Sequence, residues 1–419
     1  MSGLILAAPG SGSGKTTVTL GLLRALRQQG IAVRSAKSGP DYIDPRFHAA
    51  ASGAECINLD AWAMQPERIR ALAAGETPLV IEGAMGLFDG APPLGKGATA
   101  DLARILGLPV VLIMDVSHQA QSAAAVATGF AGYSDVNVVG VILNKVGSPR
   151  HERMLRRALE PTGLQVFGSI FRDYSLDMPS RHLGLVQAEE REDLEAFLDK
   201  AAGIVAQSVD VAALMAEAVP LVAPTGSLAC LPPPAQEIAI ARDAAFAFAY
   251  PHLINAWRAQ GAGISLFSPL QDEAPAPADL VILPGGYPEL HAGKLAANQN
   301  FLNGIRDAKA VYGECGGYMV LGDGLIDADG KRHAMAGLLR LETSFEKRKL
   351  HLGYRNLQPF GGLWDMALTA HEFHYATTLK AQGAPLFAAQ DAEGAALPDM
   401  GLRVGNVTGS FAHVIDCAL

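Results

Sequence analysis

The chain has 419 residues, 49% hydrophobic and 18% charged, with a formal net charge of −9 at pH 7. That balance describes a globular protein of two or three domains and excludes disorder over most of its length. An acidic total without a basic block excludes a surface built to neutralise nucleic-acid phosphates, so no nucleic-acid partner is expected.

Residues 4–8 form a short apolar run closed by Pro9 and Gly10, the pattern of a buried strand. Over residues 16–29, Val18, Leu22, Leu23 and Leu26 recur at helical spacing, and Gly30 supplies a stop. β-rich runs follow at 31–36, 79–82, 110–115, 138–144 and 166–170, most of them separated by helical stretches. Strands apolar on both faces, alternating with helices, predict an α/β fold with a doubly wound parallel sheet. The uncharged stretch 116–134 is long enough to span a bilayer, but Ser117, His118, Gln119, Gln121 and Ser122 mark it as a soluble helix, and no membrane partner is expected. The apolar start of the chain lacks a basic leader and is not read as a signal peptide.

One helix is predicted over 201–217. Residues 219–236 then carry Pro232, Pro233 and Pro234, which continue neither a helix nor a central strand. Residues 201–236 are therefore read as a linker between a domain at 1–200 and another at 237–419. After the seam, strands are predicted at 245–249, 264–267, 280–283 and 310–312, with helices at 252–260 and 288–307. Beyond residue 335 the strands crowd together, as in antiparallel additions. The four cysteines, Cys56, Cys230, Cys315 and Cys417, make no C-x-x-C pair and suit reduced thiols, which points to the cytoplasm.

The first strand leads into PGSGSGKTT and then a helix. Gly12 and Gly14 let several N–H groups curl inward, Lys15 adds a cation, and Thr16 offers a hydroxyl to Mg²⁺. Pro9 stands where the first glycine of the phosphate-loop signature belongs, yet G-K-T keeps its strand–loop–helix setting. ATP binding is expected. Glu82 ends an apolar strand where a metal-binding carboxylate belongs, and Asp41, Asp44 and Asp89 lie in the neighbouring loops. Asn144 follows another strand, where its amide either reads a purine edge or merely shapes a turn.

In the second half, Cys315 follows a strand and precedes a helix within G-x-C-x-G, the thiol version of a nucleophile elbow. Its place at a helix N-terminus is expected to favour thiolate. The amides of Gly286 and Gly316 are candidates for an oxyanion site. For the base, His413 competes with His371 and His374; the His-x-x-His spacing of the latter pair also admits a metal, although its strand context and missing third ligand count against one.

Together, APGSGSGKTT, KSGPDYIDPRFH, EGAMGLFDG, LPGGYPEL, YGECGGYMVLG and HEFHYA resemble the corrin-ring a,c-diamide synthases over nearly the whole chain. The resemblance implies an N-terminal P-loop domain similar to dethiobiotin synthetase and MinD-like proteins, and a C-terminal class I glutamine amidotransferase domain. It carries the nucleophile to Cys315 and the base to His413. It places ATP phosphates on Gly12, Gly14, Lys15, Thr16 and Thr17 and Mg²⁺ on Thr16 and Glu82; Asn144 joins the nucleotide site only on the reading of its amide given above. Asp41, Tyr42 and Asp89 become candidates for the synthase and substrate site, in which Lys15 and the two aspartates act in the chemistry.

The implied reaction is ATP- and glutamine-dependent amidation of the a and c carboxylates of hydrogenobyrinic or cobyrinic acid through acyl phosphates, by a cytoplasmic carbon–nitrogen ligase of cobalamin synthesis, with a homodimer as the expected assembly. A nickel-sirohydrochlorin substrate is the alternative within amidation. A ParA/MinD-like ATPase switch is the alternative outside it, but Gly10 and Ser11 occupy the place of its second signature lysine and Cys315 would have no use. One departure concerns the triad: Ile415 stands where class I amidotransferases commonly have Glu, two residues after the histidine, so a Cys–His dyad is expected.

Overall fold

The computed structural model describes residues 2–418 except 177–179, 182–183, 186, 223 and 225–229, so part of the proline seam lies outside the described residues. The chain divides into two compact units, Met1–Leu228 and Ala229–Leu419.

The first unit is built on a parallel sheet in the spatial order Cys56–Leu59, Arg34–Ser38, Leu79–Glu82, Ser2–Ala7, Val110–Asp115, Val138–Val146 and Gln165–Phe171. Leu4, Ile5, Leu6, Leu79, Val80, Ile81, Val111, Leu112 and Ile113 are fully buried, so both faces of the central strands are covered and the hydrophobic runs need no alternation. Burying each such Leu or Ile stabilises by about 1.5–3 kcal/mol, which makes this sheet the rigid platform for the loops at its strand ends. The Lys15–Gln28 helix lays Val18, Leu22, Leu23 and Leu26 into that core.

In the second unit a six-stranded sheet runs Gly263–Phe267, Glu237–Ala241, Leu280–Leu283, Val311–Glu314, Val407–Ser410 and Leu402–Val404; only the last strand is antiparallel. A core of Phe246, Phe267, Phe301, Leu283, Leu295 and Leu321 packs on it. A four-stranded sheet and a five-stranded antiparallel sheet supply the crowded strands expected beyond residue 335. The α/β class with a parallel central sheet is as the sequence predicts. No helix among the described residues is long and apolar enough to cross a membrane.

Several boundaries differ from expectation. The stretch 201–217 is neither linker nor one helix. Leu194–Ser208 and Val211–Ala216 are separate helices of the first unit, parted where Asp210 accepts a hydrogen bond from Ala213 N–H and caps the second. Val219–Pro220 then pairs antiparallel with Ser2–Gly3, so the first unit ends later than residue 200. The second unit's first strand is Glu237–Ala241, and 245–249 is no strand: a turn begins where Asp243 accepts from Ala245 N–H at 2.9 Å, Ala245 and Phe246 are buried in it, and Phe248 makes a lone bridge to Gly285. The second strand, Arg34–Ser38, starts three residues late, after exposed Ile31. The long helix at 288–307 is broken at Asn298, whose side chain donates to Pro269 O at 2.7 Å.

Candidate functional site

In the first unit the loop after Ser2–Ala7 closes on itself, with Ser13 Oγ donating to Gly10 O at 2.9 Å. Gly12 and Gly14 adopt φ of 79° and 84°, and a Cβ on Gly14 would lie 2.3 Å from Asn144 Nδ2, so both the backbone and the packing demand glycine. Asn144 Nδ2 donates to Ser13 O at 2.9 Å. The asparagine singled out for a purine edge therefore spends an amide hydrogen on holding the loop, although it does line the cavity. Lys145 adds a second brace, with Nζ at 3.0 Å from Gly12 O and 2.6 Å from Asp115 Oδ2.

Lys15 Nζ donates to Met85 O at 2.5 Å, in the loop after the Leu79–Glu82 strand, and burial lowers its pKa. Thr16 Oγ1 donates to Glu82 Oε1 at 2.7 Å and lies 3.5 Å from Asp44 Oδ2. Two further residues, not anticipated as site residues, complete this knot. Lys37 Nζ lies 2.6 Å from Asp44 Oδ2 and 2.7 Å from Glu82 Oε1, and His48 Nε2 is 2.6 Å from Glu82 Oε2. Burial alone would raise the Glu82 carboxyl, but Lys37 and His48 more than offset it and hold the group ionised, well below the ordinary range. Asp44 is raised to about 6 by burial and by the Asp41 charge, against the pull of Lys37. Lys37 falls just after the strand expected at 31–36 and opens the segment KSGPDYIDPRFH that ends at His48, a position that by itself does not mark either residue as part of the site.

A cavity of about 980 Å³ opens above these groups, lined among others by Gly12, Gly14, Lys15, Thr16, Thr17, Asp41, Glu82 and Asn144. This volume is at the upper end for small-molecule sites. Asp41 reaches the wall while its Oδ1 accepts N–H groups from Ile43 and Asp44. Asp89 and Tyr42 do not line it. Asp89 is exposed and its Oδ2 accepts Gly86 N–H at 3.0 Å, shaping the turn after Glu82; Tyr42 is buried beside Asp41.

In the second unit Cys315 joins the Val311–Glu314 strand to the Gly316–Val320 helix with φ 47° and ψ −104°, a strained conformation for a residue with a side chain. Its N–H donates to Ser410 O at 2.8 Å and its Sγ to Phe373 O at 3.8 Å. A Cβ on Gly317 would fall 1.9 Å from Leu283 O, which explains the glycine at that point of the elbow. The position a Cβ of Gly316 would take lies 3.1 Å from Gly286 N, so the two expected oxyanion donors are close neighbours.

His413 is fully buried on the Ala412–Cys417 strand, and its Cε1 lies 2.1 Å from where a Cβ of Gly285 would sit. Burial, then the charges of His371 and His374, lowers its imidazole to about 3. Burial also pushes the Cys315 thiol well up, against the thiolate expected at a helix N-terminus, and the helix that follows has only five residues to supply a dipole.

His371 pairs in register with His413, whereas His374, three residues on in the same strand, faces the other way. The His-x-x-His pair is thus no chelate. His374 instead stacks on Phe411 and His351 and bonds Glu372, whose carboxylate is clamped by Arg355 at 2.7 Å and held at about 2, burial being outweighed by His374 and Arg355. Glu314, one residue before the nucleophile, brings Oε2 to 3.9 Å from His413 Nδ1; burial raises its carboxyl to about 7.

Residues 4–186 match the CobQ/CobB/MinD/ParA nucleotide binding domain family, and residues 237–416 match the CobB/CobQ-like glutamine amidotransferase domain family. A protein of Brucella abortus biovar 1 named hydrogenobyrinate a,c-diamide synthase is 57% identical to the chain over 99% of both. Proteins of the same name are 54% identical in Rhodobacter capsulatus, over 99% of this chain and 98% of that one, and 54% identical in Rhizobium meliloti strain 1021, over 99% of both. With matches of this length and both domain families in the same order, the chain belongs to the hydrogenobyrinate a,c-diamide synthase family.

Proposed function

We propose that the protein converts two carboxylates of hydrogenobyrinic acid, at the a and c side chains, into amides, using ATP to activate each carboxylate and glutamine to supply the nitrogen. The observation that carries this reading is the presence in one chain of a phosphate-binding knot, Lys15, Thr16 and Glu82, and a Cys315 elbow with a buried His413, in a protein 57% identical over its length to a synthase of that name.

Each half of the reaction follows from the residues. A carboxylate oxygen is a poor leaving group, so the substrate oxygen first attacks the γ-phosphorus and ADP departs, leaving an acyl phosphate. Lys15 and the inward N–H groups of the glycine loop hold the phosphate oxygens as charge shifts onto them. Lys15 and Arg172 on the cavity wall supply local positive charge for a polycarboxylate in an otherwise acidic protein. Thr16, Glu82 and the adjacent Asp44 are hard oxygen donors of the kind Mg²⁺ takes, and they would hold it; bound there, the ion would offset phosphate charge. Asp41 faces the same space.

In the other unit His413 takes the proton of the Cys315 thiol as sulfur attacks the glutamine side-chain carbonyl. The Gly286 and Gly316 amides receive the oxyanion. The same proton then passes to the departing ammonia, and water releases glutamate from the thioester. Ammonia attacks the acyl carbon of the activated substrate and inorganic phosphate leaves.

The test is purified protein with ATP, glutamine and, in parallel, hydrogenobyrinic acid, cobyrinic acid and nickel-sirohydrochlorin, read by mass. Two carboxyl-to-amide conversions on hydrogenobyrinic acid support the reading; conversion of nickel-sirohydrochlorin alone rejects it.

A further inference from the structure

We propose that Glu314 is the positioning residue for His413, filling from the nucleophile's own strand the role that a carboxylate two residues after the histidine would otherwise fill. The inference rests on Cys315 and His413 being nucleophile and base.

Position 415 offers no anion. Ile415 is fully buried, and its carbonyl accepts from His252 Nε2 at 2.8 Å. Asp416 lies past a bulge at residue 415 in the pairing with the Leu368–His374 strand, and its Oδ1 accepts Cys417 N–H at 2.9 Å.

Glu314 approaches from elsewhere. Its strand, Val311–Glu314, runs parallel to Val407–Ser410 with Glu314 opposite Ser410, and the chain turns from Ser410 into the strand that carries His413. The register therefore puts the residue before the nucleophile beside the base. The carboxylate is fixed by two hydrogen bonds to Oε1, from Val414 N–H at 3.1 Å and from Tyr312 O–H at 3.2 Å. With Oε1 so held, Oε2 stands 3.9 Å from His413 Nδ1, and the glutamate side chain is only 13% exposed. At that distance and burial the interaction is between charges and is weakly screened.

Its consequence falls on one step. When the Cys315 proton moves to the imidazole, His413 becomes a cation in a buried place where His371 and His374 disfavour that charge, and the fixed carboxylate stabilises the cation and the ring orientation that produces it. Burial raises the Glu314 carboxyl to about 7, so the role belongs to its ionised form, which keeps its charge through the step. Chain proximity also couples the parts: a shift of the elbow moves nucleophile and positioning group together.

The experiment is Glu314→Gln in the full-length protein. Glutamine keeps the oxygen that accepts from Val414 and Tyr312 and removes the charge. Glutaminase kcat is expected to fall about ten- to hundred-fold with KM for glutamine changed less than about two-fold. Inactivation by the glutamine analogue 6-diazo-5-oxo-L-norleucine should slow by a similar factor, and ammonium-supported synthesis should stay at the wild-type rate. Glu314→Asp, which restores the charge one methylene further back, should recover part of kcat. A wild-type kcat in Glu314→Gln, a loss confined to KM, or an equal loss of ammonium-supported synthesis overturns the proposal. Cys315→Ala and His413→Asn separate the two levels: if either keeps glutaminase activity, the nucleophile–base reading is wrong; if both lose it while Glu314→Gln is normal, only the positioning role is wrong.

Discussion

Lys37 and Glu82 stand directly opposite each other in the register of two adjacent parallel strands, and Lys37 Nζ meets Glu82 Oε1 at 2.7 Å. The lysine is also 2.6 Å from Asp44. A cation thus sits between two carboxylates at the foot of the phosphate loop, with both partners almost removed from water.

Replacing Lys37 by Met leaves Glu82 and Asp44 to repel each other in a buried site. Breaking such a pair costs about 3–5 kcal/mol. Urea unfolding of the first unit should show that loss, and synthesis should fail with glutamine and with ammonium alike, while glutaminase activity persists. Normal synthesis in Lys37→Met would remove the lysine from the site.

The elements that were legible in the sequence owe it to local rules. The 4–8 run, the glycines of the loop and the G-x-C-x-G elbow declare themselves because hydrophobic burial and backbone freedom act within a few residues. Lys37 and Glu314 stayed hidden because their meaning is set by partners distant in the chain: Glu82 across a strand pair, and His413 at the far end of the second unit. Ala245 and Phe246 misled for the opposite reason. They are buried like a strand, but Asp243 bends the backbone before pairing can begin. The linker was misplaced because alanine-rich 201–217 carries little pattern, and its first helix belongs to the first unit's own packing.

Gly14→Ala places a Cβ where Asn144 Nδ2 already lies and forces a side-chain residue to φ 84°. Such strain costs on the order of 1–3 kcal/mol, and it is focused on the loop. ATP affinity should drop at least about ten-fold with little change in glutaminase rate. Calorimetric titration with ATP checks this; an unchanged affinity would show that the loop does not hold the phosphates.

Acid should weaken the second unit. His413 and His371 are held near 3 and 4, each chiefly by burial, below the ordinary histidine value of about 6.5. The unfolded chain binds those protons first, so the stability these histidines provide is whole above about pH 6.5 and is lost as pH falls towards 4. Glu314, raised to about 7 by burial, works the other way and offsets part of that loss between about pH 7 and 4.5, while Glu372, held near 2, adds a loss below about pH 4.5. Urea midpoints across this range should decline, and His371→Asn should flatten the upper part of the slope. A midpoint independent of pH between 6.5 and 4 would contradict these assignments.

Cys315→Ala should abolish synthesis from glutamine and leave synthesis from high ammonium near the wild-type rate, because the thiol serves only to release ammonia. Lys15→Ala should lose both. Steady-state rates with each nitrogen source make the comparison, and loss of both activities in Cys315→Ala would mean that the two sites are not separable.

The most direct measurement supplies the wild-type protein with hydrogenobyrinic acid, ATP and glutamine carrying ¹⁵N in its side-chain amide, and weighs the tetrapyrrole product. Two carboxyl groups converted to amides, both labelled, at the a and c positions is the predicted result. A product with no labelled amide, or one that stops at a single amide with all substrates in excess, would contradict it.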